Sequence, residues 1–79
     1  MLTIEYNTIS EMLDMHFDNE GAKRFIEDLQ LLIKQNRFEQ MHLLSEEWGG
    51  EDLSSVKLSL SDDVILVNQL RLTYWMDKN

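Results

Sequence analysis

The chain opens on an alternation of apolar and polar positions. Leu2, Ile4 and Tyr6 are separated by Thr3 and Glu5, and beyond Asn7-Thr8 the positions Leu13, Met15 and Phe17 alternate with Met12, Asp14 and His16. A period of two sets each row on one face of a strand, so the spacing predicts a β-hairpin. The period then lengthens. Asp18 and Asn19 offer N-cap oxygens, Glu20 suits the positive end of a helix dipole, and Ala22, Phe25, Ile26, Leu29, Leu32 and Ile33 recur at helical spacing. An amphipathic helix of about four turns is expected. Asn36 would close it in left-handed geometry, with Lys34 and Arg37 at the negative end of the dipole.

Residues 38–45 read as a central strand, and the run from Glu46 to Ser55 has turn and cap residues without either period. Val56, Leu58 and Leu60 alternate with Lys57, Ser59 and Ser61, Asp62-Asp63 suit a turn, and residues 64–75 are again strand-like. A second hairpin is therefore predicted, with a bulge or break at Asn68 or Gln69, because residues 64–75 are long for a single strand. The expected architecture is α+β: a small antiparallel sheet of two hairpins plus a central strand, with the helix packed on one face. There is no proline, no internal repeat and no Ser/Gly-rich stretch, so residues 1–79 read as one domain.

Composition narrows the function. A chain of 79 residues supports one modest core and buries only about 60% of its unfolded surface, so a dimer or a tight partner would add to its stability. Seven bases against fifteen acids leave a net charge of −8, which argues against binding nucleic acid or an anionic membrane by neutralising phosphates. The absence of cysteine excludes a disulfide framework, a thiolate nucleophile and a Cys-based zinc site, and suits a reducing compartment. Val64 to Val67 is the longest apolar run, far short of the roughly 18 residues of a membrane span. No export signal follows Met1, and a cytoplasmic protein is expected.

The acidity is uneven. Residues 1–38 carry −3 and residues 64–79 carry +1, whereas residues 39–63 alone carry −6. Within that stretch Glu46, Glu47, Glu51 and Asp52 bracket Trp48-Gly49-Gly50. One reading is a solvated acidic loop whose tryptophan folds back over the core. The other is an interface, with Trp48 as aromatic anchor and the carboxylates steering toward a basic surface.

Catalysis finds little support. The only histidines are His16 and His42, and His42 shares a face with Glu46 only if that segment is helical, whereas it reads as extended. The acidic run lacks the ligand spacing of a calcium loop, and Gly49-Gly50 lack that of a phosphate loop. Ser45, Ser54 and Ser55 read as cap and turn residues. No enzyme, metal or cofactor is expected.

His42-Leu43-Leu44-Ser45, running into Glu47-Trp48-Gly49-Gly50 and then Asp52-Leu53-Ser54, resembles the immunity protein 32 family of bacterial polymorphic toxin systems, whose pattern looks like H-L-x-[ST]-x-x-W-G-G-x-x-L. Residues 66–75 are similar to that family's closing strand, with Gln69 where a histidine would be expected. The resemblance spans most of residues 12–76 and implies a small α+β protein that binds and neutralises a cognate toxin. The expected partner site comprises Glu46, Glu47, Trp48, Gly49, Gly50, Glu51 and Asp52, joined by His42 because the family pattern covers it, facing a toxin with a basic surface, such as a nuclease. Two rival readings stay open: an acidic regulatory domain or nucleic-acid mimic that binds a basic protein, and a homodimer paired through an exposed sheet edge.

Overall fold

The computed structural model describes residues 1–77. Five strands and one helix follow in the order β1 (Leu2–Asn7), β2 (Leu13–Phe17), α1 (Asn19–Lys34), β3 (Glu39–Leu44), β4 (Val64–Leu66) and β5 (Gln69–Tyr74), with a 3-10 turn at Glu46–Trp48 between β3 and β4. The fold is α+β, and its strands form two antiparallel sheets, one ordered β2-β1-β4 and the other β3-β5.

The predicted first hairpin forms, with Leu2 opposite Phe17, Ile4 opposite Met15 and Tyr6 opposite Leu13. Its loop is longer than a two-residue turn. Asn7 closes it by accepting the N–H groups of Ile9 and Ser10 on its side-chain oxygen, each at 2.9 Å, and Glu11 takes a left-handed φ of 62°. The helix is capped as its sequence suggests. Asp18 accepts the Gly21 N–H at 2.8 Å, and Asn36 sits beyond the last turn with φ 54°.

The second hairpin does not form. Residues 56–60 carry no strand, and Val56, Leu58 and Leu60, expected on one inward face, are all exposed. Two local competitors take the donors that a strand ladder would use. Ser54, Ser59 and Ser61 each accept, on the hydroxyl oxygen, the N–H two residues further on, at 3.1 to 3.2 Å. Between them, the Leu58 and Ser59 N–H groups both donate to one carboxylate oxygen of Glu5, the latter at 3.1 Å. Strand β4 pairs instead with β1, setting Leu66 opposite Glu5 and Val64 opposite Asn7. The Asp62-Asp63 turn directs it there, for the Asp63 carbonyl accepts both the backbone N–H and the hydroxyl of Thr8.

Residues 64–75 do break where expected. The Val67 N–H still donates to Ile4 of the first sheet at 2.8 Å, while the Asn68 carbonyl accepts the Ser45 N–H next to the second at 2.9 Å. One peptide unit thus passes from sheet to sheet. The core lies in the angle between them: Leu2, Ile4, Leu43 and Leu53 are buried, with Phe25, Met41, Val67, Leu70 and Leu72 packed around them. The helix contributes Phe25 and the buried Leu32 and touches both β2 and β3, so it spans the two sheets and does not lie flat on one.

Glu5 is only 2% exposed. Burial alone would push its carboxyl up, but the Leu58 and Ser59 N–H donors and His16, 3.3 Å away, together outweigh it and hold the pKa below the ordinary glutamate value. A depressed carboxylate stabilises the fold fully above its unfolded-state pKa and ceases to do so as pH falls through the folded-state value. Glu5→Gln should therefore cost about 1–3 kcal/mol at neutral pH, because an amide oxygen can still accept both N–H groups but brings no charge to them or to His16. In urea titrations the gap between the two proteins should narrow as pH falls below the ordinary glutamate range, and a gap that is independent of pH would contradict this account.

Candidate functional site

The motif from His42 to Leu53 folds as one unit on the end of β3. Ser45 is its root and is fully buried. Its hydroxyl donates to the Asn68 side-chain oxygen at 2.8 Å, and its carbonyl accepts the N–H groups of Trp48 and Gly50 at 3.0 and 2.9 Å. Further along, the Leu44 carbonyl accepts Asp52 and Leu53, the Glu47 N–H donates to the Ser55 hydroxyl, and the Ser54 N–H donates to Leu2. The loop backbone is therefore tied to β1, β3 and the start of β5.

Several motif residues owe their identity to this geometry. Leu43 and Leu53 fill the core. Gly49 ends the 3-10 turn with φ 87°, a left-handed conformation that costs other residues about 1–2 kcal/mol. Gly50 lies so close to β3 that a Cβ would sit 2.3 Å from the Leu44 carbonyl oxygen. Both glycines shape the loop, and nothing in their geometry requires a partner.

The remaining side chains face outward. Trp48 is 53% exposed and so does not close over the core; Glu46 and Glu47 beside it are also exposed, with no ion pair among the described residues. The other two loop acids differ. Asp52 lies 3.5 Å and Glu51 3.9 Å from the Arg24 guanidinium, which fastens the far end of the loop to α1. These are surface pairs, worth no more than about 1 kcal/mol each. Asp28, on the same side of the helix, has its carboxyl pushed up by burial and by the charge of Asp52. With Glu20, Arg24, Glu51 and Asp52 it lines a shallow concavity of about 220 Å³.

His42 lies on the outward face of β3, two residues before Leu44, against which Gly50 packs. Its Nε2 accepts the Arg71 Nε–H from the facing position of β5 at 3.0 Å, which requires the neutral ring with its proton on Nδ1. Arg71 and Gln69 share a shallow hollow with it. Arg71 escaped the sequence reading, since only the β3-β5 register reveals it. The structure thus gathers His42, Glu46, Glu47, Trp48, Gly49 and Gly50 around one end of β3, while Glu51 and Asp52 turn toward the helix.

Among the described residues no three His, Asp or Glu side chains converge as a metal site would. No helix among them is long and apolar enough to cross a membrane. No family model, curated protein or solved structure matches the chain. Weight therefore falls on the geometry of the loop. Gly50→Ala should destabilise the protein more than Gly49→Ala, because backbone must shift for the first and only a strained φ is imposed by the second. Trp48→Ala should change stability by less than about 0.5 kcal/mol. Urea midpoints in the reverse order for the glycines would show that the close approach to Leu44 is relieved cheaply.

Proposed function

We propose that the chain is an immunity protein, a binding protein without catalysis of its own that neutralises a cognate toxin in the cytoplasm of the cell that makes it. One observation carries this reading: Trp48, flanked by Glu46 and Glu47, is held out to solvent on a loop whose backbone is tied down on both sides. His42, Ser45, Trp48, Gly49, Gly50 and Leu53 stand in the order of the immunity-family pattern that the sequence resembles.

Physically, such a surface suits a basic protein. The fixed backbone lowers the ordering cost of association, and a large aromatic ring supplies an anchor that excludes water from the contacts around it. The carboxylates of Glu46 and Glu47 add long-range attraction, which raises the encounter rate more than the final affinity. Glu51 and Asp52 can join only by exchanging Arg24 for a base of the partner, and surface ion pairs of that kind exchange cheaply. A toxin whose substrate cleft is basic, as in a nuclease, offers the complementary charge.

Co-expression with the product of the adjacent reading frame should restore growth that the toxic product alone abolishes. Failure to protect against any neighbouring toxic protein sinks the reading, and capture of a DNA-binding protein that DNA competes away would replace it with nucleic-acid mimicry. Once a complex is in hand, Trp48→Ala should weaken it by about 2 kcal/mol or more, a loss of roughly thirtyfold, with the fold intact. The association rate should fall as salt rises; Glu46→Gln with Glu47→Gln should flatten that dependence.

A further inference from the structure

The apolar stripe of α1 is wider than the surface it covers. Phe25 and Leu32 serve the core, yet Ile26, Leu29 and Ile33, further round the helix, are exposed. So are Leu13, Met15 and Phe17, which share one face of β2, the edge strand of its sheet. These six side chains are between 37 and 61% exposed. The strand row and the helix row meet at a cleft of about 330 Å³ lined only by Leu2, Met15, Phe17, Ala22, Phe25 and Ile26.

The whole molecule is correspondingly open. Its accessible surface is 6023 Å², against roughly 5,000 Å² for a folded monomer of 9.4 kDa. Its radius of gyration is 14.0 Å, against about 12 Å for a compact chain of this length.

We infer that this face is the seat of a second copy of the chain, docked about a two-fold axis through the cleft so that the strand row of one copy lies on the helix row of the other. The area fits that occupant. Six side chains exposed to this degree present on the order of 600 Å², the upper end for the largest apolar patch on a monomer. A two-fold contact uses the same patch twice, so the dimer buries about 1,200 Å², the lower bound of a standard stable interface. The two rows also differ in shape, a flat strand and a ridged helix flanking a groove, which a two-fold axis brings into mutual register.

The acidic loop stays free. Arg24, which reaches Glu51 and Asp52, leaves the helix roughly 160° away from Ala22 in the cleft. Dimerisation and toxin binding therefore use different surfaces, although the concavity beside Arg24 shares Leu2 and Phe25 with the cleft, and they respond oppositely to salt. Two chains of charge −8 repel each other, so salt strengthens their association, whereas it weakens contact with a basic partner.

Sedimentation equilibrium of the chain alone, from low to high micromolar concentration, should show a dimer whose association tightens with added sodium chloride. Phe17→Asp and Ile26→Lys, each at an exposed position, should weaken it roughly tenfold or more, with helix content by circular dichroism retained. Mixing the two variants should restore association, since the carboxylate introduced on one strand row meets the ammonium introduced on the other copy's helix row. A wild-type chain that stays monomeric throughout overturns the proposal, as do variants that dimerise unchanged. Protection of Phe17 and Ile26 only when the toxin is added would assign the face to the toxin. Because no toxin is needed for the first measurements, their failure leaves the immunity reading standing on its own test.

Discussion

The structure turns on the junction between Val67 and Asn68. Two small sheets, of three strands and two, have no shared ladder, and neither would bury enough apolar surface to fold alone. The last stretch of chain joins them by hydrogen-bonding to both, through Val67 to Ile4 and through Asn68 to Ser45. Ser45 is where the junction becomes a site. The same residue that donates its N–H and hydroxyl to Asn68 also accepts the N–H groups of Trp48 and Gly50 on its carbonyl. The loop's conformation is consequently coupled to the packing of the sheets and is more than a local preference.

Glu5 plays the matching part on the other side of β1. A carboxylate on a central strand would ordinarily be a costly thing to bury, but here its charge is met by two backbone donors and a histidine. The result is a length of chain, residues 56–60, fastened across the sheet without joining it. That arrangement explains why so many apolar side chains there remain in solvent: a carboxylate and serine hydroxyls, and not apolar burial, hold the segment in place. It also leaves β4 free to pair with β1, closing the sheet with strands from both ends of the chain.

Local patterns were legible wherever one segment's own chemistry decides the outcome. The period-two rows of β1 and β2, the Asp18 cap, the left-handed Asn36 and the break at Asn68 all follow from residues within a few positions of one another. The misread segment shows the limit. Val56, Leu58 and Leu60 alternate as a strand would, and what defeats them is a glutamate more than fifty positions earlier in the chain. Alternation likewise says that β3 is a strand without naming β5 as its partner, so the pairing of His42 with Arg71 is visible only in the fold. At the site, the bracketing acids were evident, but their division into Glu46 and Glu47 on one side and Glu51 and Asp52 beside Arg24 depends on where the helix lies.

The helix itself separates the two surfaces, and that separation bears on how so short a chain can work. An apolar stripe spread over Phe25, Leu32, Ile26 and Ile33 is too broad to be buried against sheets this narrow. Filling the core with half of the stripe leaves the other half to be covered from outside, and a chain of net charge −8 is poorly suited to present bare apolar surface to other proteins at random. Most of the exposed apolar side chains of α1 gather beside β2, whereas Arg24, roughly 160° further round, meets the acidic loop, although Leu31 is exposed on that side too. In the proposed assembly each surface would select by a different force: shape and dehydration for a copy of the same chain, long-range charge for a basic partner. Neither of the proposed contacts would need to distort the other, because the hydrogen bonds that fix the loop backbone and those of the helix hold the two surfaces independently.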